Sequence, residues 1–230
     1  MKPAPNLPAP GRSARMTPML KDHFIDKSRD WDTRPVPLQI STAVGPLLRE
    51  SLDWHSGMRI MDFGAGTGLL TAHVAPLVAK VIAVDTSLSM LEALAVKEEL
   101  RDVVEPRCQD ILLAPLGERF DAILSAMALH HVQDTDALFA RFREHLEPGG
   151  QLALADLDSE DGTFHPPDTE GVFHHGFDRD DLRRRLEAAG FEAVRFQTAL
   201  EVTREDGRTF PVFLVTARAQ LLAYQLIPPG

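Results

Sequence analysis

Three glycines in alternation, Gly64, Gly66 and Gly68, follow a short apolar run that ends at Asp62 and Phe63. An apolar pattern with helical spacing begins directly after the last glycine. A strand, a glycine turn and a helix in this order place helix N–H groups beside an anionic or polar ligand, and a residue without a Cβ lets that ligand approach the backbone closely. The stretch therefore predicts a binding site for a nucleotide-like ligand.

Polar side chains also end the later predicted strands. Asp85 closes the second strand about twenty residues after the glycine turn, the spacing of a carboxylate that accepts hydrogen bonds from ribose hydroxyls. The third strand leads to Asp110, and the fifth leads to Asp156. The fourth leads to Ser125, with His130 and His131 beyond it. Because ligands of open parallel sheets bind beyond the carboxyl ends of the strands, we expect these side chains to surround one site.

The glycine spacing separates two classes of nucleotide ligand. A nicotinamide fingerprint, G-x-G-x-x-G, would need glycine at position 69 or 71, where the chain has Leu69 and Thr71. The sequence therefore disfavours a nicotinamide-dependent oxidoreductase.

Alternating strand and helix patterns must position these residues. Strands are predicted at 59–63, 81–85, 103–108, 120–125 and 151–157, helices at 36–52, 69–78, 87–99, 135–146 and 178–189, and a hairpin at 191–202 and 209–218. Gly45 and Pro46 predict a kink or a break in the first helix. The pattern predicts an α/β fold with a doubly wound, seven-stranded, mostly parallel sheet and an antiparallel C-terminal edge hairpin. We expect 1–18 to be a disordered lead-in and 19–230 one domain, with 19–55 as a helical cap.

The composition disfavours several kinds of protein. The chain has 230 residues, a formal net charge of -10 and one cysteine, Cys108, which its strand pattern predicts to be buried. An intrachain disulfide needs two cysteines, nucleic acid and anionic membranes bind basic surfaces, and a spanning helix needs about 18 apolar residues in succession. We therefore expect a cytoplasmic protein, a monomer or homodimer, that binds neither nucleic acid nor membrane.

The stretch 62–68 resembles the first motif of class I S-adenosylmethionine (SAM)-dependent methyltransferases. The segments 120–132 and 146–150 resemble later motifs of that family, with Glu147 where lysine is more usual. The resemblance covers about residues 22–218. It implies the Rossmann-like methyltransferase fold, with SAM as the methyl donor and S-adenosylhomocysteine as the product.

The resemblance also implies which residues hold the cofactor. The acidic residue and the glycines of the first motif hold the methionine part, so that Asp62 pairs with the α-ammonium and amides of the turn meet the α-carboxylate. The acidic residue after the second strand holds the ribose, and the Asp after the third strand contacts the adenine amino group. The cofactor-binding residues implied are Asp62, Gly64, Ala65, Gly66, Gly68, Asp85, Thr86, Met90, Asp110, Ile111 and Ser125.

Phe24, Asp26 and Trp31 resemble the N-terminal segment of a small-molecule subgroup that includes ubiquinone and menaquinone C-methyltransferases. The two aromatic residues either cover the site as a lid or simply dock on the sheet. The residues expected at the substrate pocket or lid are Phe24, Trp31, Met127, His174 and His175. For the two histidines the other interpretation is that they only brace the long loop.

Histidines are the candidates for a general base. His130 and His131 are the expected catalytic residues, with His165, His174 and His175 as further candidates. The other interpretation of the first pair is that one packs under the sheet and the other caps the next helix. Because adjacent histidines on a strand or loop point apart, neither this pair nor His174 with His175 predicts a metal site, and we expect none.

The function implied is methyl transfer to a small organic acceptor by SN2 displacement, in which alignment of nucleophile, methyl carbon and sulfur supplies most of the catalysis. The alternative is a SAM-binding regulatory module of the same fold without an acceptor. A nucleic-acid or protein methyltransferase is disfavoured, because the residues from Ser125 to Ala128 include no amide side chain that could hold a planar amino group.

Overall fold

The computed structural model describes residues 22, 24–204 and 206–221, and the predicted lead-in at 1–18 lies outside them. The strands are β1 (Arg59–Phe63), β2 (Lys80–Asp85), β3 (Val104–Cys108), β4 (Phe120–Ala126), β5 (Leu146–Leu157), β6 (Phe191–Thr203) and β7 (Thr209–Ala219). The helices are α1 (Pro35–Ser51), α2 (Thr71–Val74), α3 (Leu88–Ala95), α4 (Thr135–His145) and α5 (Arg179–Ala188).

The seven strands form one sheet in the order β3-β2-β1-β4-β5-β7-β6. Strands β1 to β5 run parallel to one another. Strand β7 lies between β5 and β6 and is antiparallel to both. This confirms the predicted doubly wound, mostly parallel sheet with an antiparallel C-terminal edge. The strand order reverses between β1 and β4, and a reversal of this kind opens a crevice at the carboxyl ends of the strands.

Both faces of the sheet are covered by apolar side chains. In β2, Val81 and Ala83 belong to one core cluster and Ile82 and Val84 to the other, because successive side chains of a strand point to opposite faces. All four are at most 1% exposed. The two-sided burial explains why this strand has an unbroken apolar sequence.

Helix α1 is continuous, so the predicted break at Gly45 and Pro46 is wrong. The ring of Pro46 is exposed, which leaves water free to reach the carbonyl that loses its helical partner. Gly45 serves packing, since a Cβ at this position would lie 2.3 Å from the His73 ring of α2. Among the described residues, no helix is long and apolar enough to cross a membrane.

Other element boundaries also differ from the predictions. Helix α2 ends at Val74 and continues as a 3-10 turn, because Pro76 has no N–H for an α-helical bond. Helix α3 covers only the first two turns of its predicted span. Strand β5 begins at Leu146, which pairs with Phe120, so Pro148 lies within a strand instead of terminating α4.

Candidate functional site

A cavity of about 720 Å³ lies at the carboxyl ends of β1, β2 and β4. Its volume is within the range of about 300–1,000 Å³ that is usual for small-molecule sites. The N-terminal turns of α1 form part of its wall. Of the cofactor residues implied by the sequence, those that line the cavity are Asp62, Gly64, Ala65, Gly66, Asp85, Thr86, Met90 and Asp110.

The glycine turn has the positive φ angles that favour glycine, at +67° for Gly64, +55° for Gly66 and +82° for Gly68. A Cβ at Gly64 would lie 2.4 Å from the Cβ of Ala128, whereas a Cβ at Gly66 would meet no atom of the described residues within 4 Å. Gly64 therefore permits close packing of β1 on the chain after β4. Gly66 leaves the cavity clear.

The amides of the turn are largely used within the protein. Gly64 and Ala65 donate their N–H groups to the carbonyl of Val84, at 2.8 and 3.1 Å, and Gly68 donates to Ala65. The N–H of Gly66 donates to Asp85. The expectation that these amides meet the ligand's carboxylate is wrong for these four, because their hydrogen bonds fix the shape of the turn.

Asp85 connects the turn to the start of α3. Its Oδ2 accepts the N–H of Gly66 and its Oδ1 accepts the N–H of Ser87, both at 2.8 Å. Burial raises the pKa of the Asp85 carboxyl, and these backbone hydrogen bonds offset part of that rise. The carboxylate thus has a fixed orientation at the cavity wall.

Asp62 lies deepest, at 1% exposure, and accepts a hydrogen bond of 2.5 Å from the hydroxyl of Thr71. Burial raises the pKa of its carboxyl to about 7, and the neighbouring charge of Asp85 adds to the rise. A buried carboxylate is stabilised by a cationic partner, so this position suits an ammonium group.

The charges around the cavity are all of one sign. Five carboxyl groups line it and no lysine or arginine does, among the residues described; the five are Asp62, Asp85, Asp110, Asp134 and Glu170. A site lined by one sign of charge concentrates ligands of the opposite sign. SAM has a sulfonium and an ammonium group, so the residues present fit the cofactor that the sequence implies.

Three implied cofactor residues lie away from the cavity wall. Gly68 packs against Leu94, whose Cδ1 would be 2.8 Å from an added Cβ. Ile111 is fully buried in the core on one face of the sheet. The hydroxyl of Ser125 is buried and has no hydrogen-bond partner among the described residues.

Residues 22 and 24–34, the N-terminal strap, cross the edge of the cavity and are anchored at two acidic residues. Asp22 accepts hydrogen bonds from the Ser87 hydroxyl at 2.8 Å and from the Ser89 N–H at 3.2 Å. Asp32 accepts from the Thr67 hydroxyl at 2.5 Å and pairs with Lys97 at 2.5 Å. The sequence analysis missed these anchors, because no local pattern identifies a bond across 35 or 65 residues.

The two aromatic residues of the strap form part of the cavity wall. The ring of Phe24 makes edge-to-face contacts with Trp31 and with His131, each with centroids 5.7 Å apart. Met127 also lines the cavity, with a φ of +55° that is unusual for a residue with a side chain. The strap thus connects the acidic half of the cavity to a half lined by histidines.

A 3-10 turn at Leu129–His131 brings His130 and His131 together, with ring centroids 4.2 Å apart. The expectation that these adjacent rings point apart is wrong, because the tight turn does not alternate its side chains as a strand does. His165, from the loop after β5, joins them, and its Nε2 lies 3.2 Å from the Nε2 of His130. All three line the cavity.

Asp156 orients His130. Its Oδ1 lies 2.7 Å from the Nδ1 of that ring, and its carboxylate also accepts the N–H groups of Leu129, His130 and Leu157. Burial alone would raise the pKa of this carboxyl, but the contacts with His130 and these N–H groups outweigh it and hold the pKa below its usual value. A proton on Nδ1 that donates to Asp156 leaves Nε2, which faces Nε2 of His165, without a proton.

The other two rings of the cluster are neutral at pH 7. Burial lowers the pKa of His131 and of His165 to about 4, and a proton on the neighbouring His130 ring would lower both further. The Nδ1 of His131 lies 2.7 Å from the carbonyl of Gly171, which also directs its Nε2 away from the backbone.

The structure places neither His174 nor His175 in the cavity wall, so that expectation is wrong. His174 lies with its Nε2 2.9 Å from the carbonyl of Val132 and packs on Phe177. His175 is exposed and lies 3.6 Å from Glu160. His174 thus braces the long loop, and His165 is the histidine of that loop that reaches the cavity.

Known proteins resemble this chain in sequence and in fold. Residues 40–195 match a family model described as a methyltransferase domain. An uncharacterized methyltransferase of Schizosaccharomyces pombe is 31% identical over 137 residues, which cover 53% of this chain and 48% of that protein. A ubiquinone biosynthesis O-methyltransferase of Rhodopseudomonas palustris is 35% identical over 109 residues, or 47% of this chain and 43% of that protein. The chain thus spans slightly less than half the length of these two curated relatives.

Two solved structures share the fold. The DhpI complex with S-adenosylhomocysteine has a TM-score of 0.67 and 23% identity, and the match covers 86% of this chain and 94% of that one. A phosphoethanolamine N-methyltransferase of Haemonchus contortus in complex with SAM has a TM-score of 0.64 and 14% identity, with 90% and 61% covered.

Proposed function

Because the chain belongs to the class I methyltransferases, whose methyl donor is SAM, we propose that it transfers a methyl group to a small organic acceptor. When bound, SAM supplies an electrophilic methyl group on a sulfonium ion. The observation that carries the proposal is the division of one cavity into an acidic half beside the glycine turn and a half lined by aromatic residues and histidines.

The acidic half is the proposed cofactor site. The buried carboxylate of Asp62 would pair with the α-ammonium of SAM, and that of Asp85 would accept hydrogen bonds from the ribose hydroxyls. Asp110 would accept one from the adenine amino group. The absence of lysine and arginine from the described cavity lining supports a cationic ligand here.

The other half is the proposed acceptor site. Phe24, Trp31 and Phe164 offer aromatic surface to a planar or apolar molecule. A second cavity of about 440 Å³ shares these three residues and adds Lys27, Arg34 and Arg204 to its wall. These cations favour an acceptor with an anionic or electron-rich group. A macromolecular acceptor such as RNA is disfavoured by the net charge of -10.

The chain's own contribution to the reaction is alignment and, where required, proton transfer. Walls fixed by the strap and by the glycine turn hold two ligands side by side in one cavity, and proximity of this kind supplies much of the barrier reduction. His130, oriented by Asp156, would accept a proton at Nε2 from an acceptor that must lose one.

Calorimetry with SAM, followed by detection of S-adenosylhomocysteine release with small phenols, quinones and amines, tests the proposal. We expect SAM to bind and one of these classes to be methylated. Binding of SAM without turnover of any acceptor would favour the regulatory module of the same fold. Binding of NADH more tightly than SAM would overturn the proposal.

Replacement of Asp85 by Ala tests the assigned ribose site. We expect SAM affinity to fall by about 2 kcal/mol, or roughly 30-fold, because charge-assisted hydrogen bonds to the hydroxyls are lost. Asp85→Asn, which keeps an acceptor oxygen, should lose less. Calorimetric titration measures both, and an unchanged affinity in Asp85→Ala would show that the ribose lies elsewhere.

Gly66→Ala tests whether the open space at the turn belongs to the cofactor. Within the described part of the chain the added methyl meets no atom within 4 Å, so its cost to stability is that of a positive φ, about 1–2 kcal/mol. Because the added methyl would also occupy the cavity, we expect SAM affinity to fall at least about tenfold, which is about 1.4 kcal/mol of binding free energy.

Gly117→Ala is the matched control for this variant. Gly117 has a φ of +73° and does not line the cavity, and a Cβ added there also meets no atom within 4 Å among the residues that the structure describes. Urea unfolding should show a similar loss of stability in both variants, and calorimetry a loss of SAM binding in Gly66→Ala alone. Equal SAM affinity in the two variants would contradict the placement of SAM against the turn.

A further inference from the structure

We propose that His130, His131 and His165 form a binding site for a divalent transition-metal ion of the zinc class, on the acceptor side of the cavity. One ring nitrogen from each residue lies within 4.8 Å of the others. Three imidazoles are a common protein ligand set for catalytic zinc, and imidazole also suits the neighbouring transition metals.

The spacing of the nitrogens agrees with such an ion. Zinc binds imidazole nitrogen at about 2.0–2.1 Å, so two ligands at a tetrahedral angle lie about 3.3–3.4 Å apart. The Nε2 atoms of His130 and His165 are 3.2 Å apart. Small rotations of the rings would therefore place both at bonding distance from one ion.

The Nδ1 atoms of His130 and His131 also have the hydrogen-bond partners that are usual for metal-binding histidines. The Nδ1 of His130 lies 2.7 Å from the carboxylate of Asp156, and the Nδ1 of His131 lies 2.7 Å from the carbonyl of Gly171. Metal-binding histidines usually donate their second N–H to a carboxylate or a backbone carbonyl, which fixes the ring and its tautomer. Here both partners occupy Nδ1 and leave Nε2 of each ring as the nitrogen for the ion.

The third ring is held by the loop that carries it. The backbone N–H groups of Phe173 and His174 donate to the carbonyl of His130, at 2.9 and 3.3 Å, and the guanidinium of Arg204 donates to the carbonyl of Phe164. These hydrogen bonds fasten the loop at two points. One is the 3-10 turn, and the other, next to His165, is Arg204 at the end of β6. The three ligands come from two segments that the fold keeps together.

Three protein ligands leave one position of a tetrahedral ion open, as in catalytic rather than structural sites. All three residues line the large cavity, so the open position faces it. In a step that rests on the proposed function, this position would take an oxygen of the acceptor, which selects molecules with a hydroxyl or carbonyl group.

Titration of the protein, prepared without a histidine tag, with Co²⁺ tests the site. We expect one equivalent to give the visible absorption of four-coordinate cobalt, and Zn²⁺ to displace it. His165→Ala and His131→Ala should each weaken binding by at least about 100-fold. His175→Ala, in the same loop but outside the cluster, should bind as the unchanged protein does.

Absence of the cobalt absorption, or equal binding by all four proteins, would overturn the metal site. Calorimetry with SAM on the same samples separates this failure from that of the proposed function, since metal binding needs no SAM. A protein that binds SAM but not Co²⁺ keeps the proposed function and loses the metal site. A protein that binds Co²⁺ but not SAM keeps the metal site and loses the proposed function. Urea unfolding of His165→Ala checks that the variant is folded.

Discussion

His130→Ala is expected to lower the free energy of unfolding by about 3 kcal/mol, because it removes one partner of a buried hydrogen-bonded pair and leaves the Asp156 carboxylate uncompensated. The side chains of His130 and Asp156 are 1% and 0% exposed, and Nδ1 of His130 lies 2.7 Å from Oδ1 of Asp156. Three backbone N–H groups still reach the Asp156 carboxylate in the variant, which places the loss at the lower end of the usual range for such pairs.

Urea unfolding at pH 7 measures this loss, with His175→Ala as the control. His175 is exposed, so its variant should stay within about 0.5 kcal/mol of the unchanged protein. Addition of Asp156→Ala to His130→Ala should recover part of the loss, since no buried charge remains. A single variant as stable as the control would show that the pair contributes little to folding.

Stability is expected to fall as pH rises from about 4 to 7, because of Asp62. Burial raises the pKa of this carboxyl to about 7, so the folded chain holds the proton in a range where the unfolded chain has released it. The unfolded state then binds fewer protons, and the free energy of unfolding decreases with pH by up to about 4 kcal/mol across this window. Below pH 4 both states are protonated, and the penalty is absent.

Asp62→Asn isolates this contribution, since the amide does not titrate. The stability of the variant relative to the unchanged protein should increase between pH 5 and pH 7.5, measured by urea unfolding at each pH. A difference that does not vary with pH would contradict the raised pKa of Asp62.

The same carboxyl links SAM binding to protons. Between pH 5.5 and pH 7 the α-ammonium of SAM stays charged, because its pKa is near that of other α-amino groups, about 7.7–8.0. Pairing with the ionised form of Asp62 should release a proton, and affinity should rise roughly tenfold over this range. Calorimetry in two buffers of different ionisation enthalpy counts the protons. Asp62→Asn should bind SAM weakly and without this pH dependence.

The acidic half of the cavity could be predicted from sequence because its parts are encoded locally. Asp62 and Asp85 each end a short apolar strand, and the parallel order of the strands brings those ends together. Gly64 and Gly66 follow at once, and Leu69 and Thr71 stand where a nicotinamide fingerprint would need its third glycine. Each inference required only a strand end and its neighbours.

The rest depends on contacts between distant segments. The approach of His165 to His130 joins residues 35 apart through a loop with no periodic pattern, so the sequence pointed equally to His174 and His175. Likewise, Cys108 was expected to be buried, but it is exposed because β3 is the edge strand of the sheet. Edge or centre is a property of strand order, which local pattern does not reveal.

The anchors of the N-terminal strap have a consequence for how long a ligand stays bound. Thr67, which holds Asp32, belongs to the glycine turn, and Ser87, which holds Asp22, lies beside Asp85. A ligand that orders the turn therefore also strengthens the anchors, and by reciprocity a loosened strap weakens the ligand by the same free energy. We expect the spent cofactor to leave more slowly while the strap is attached, and the indole of Trp31, which lines the cavity, would report detachment of the strap by its fluorescence.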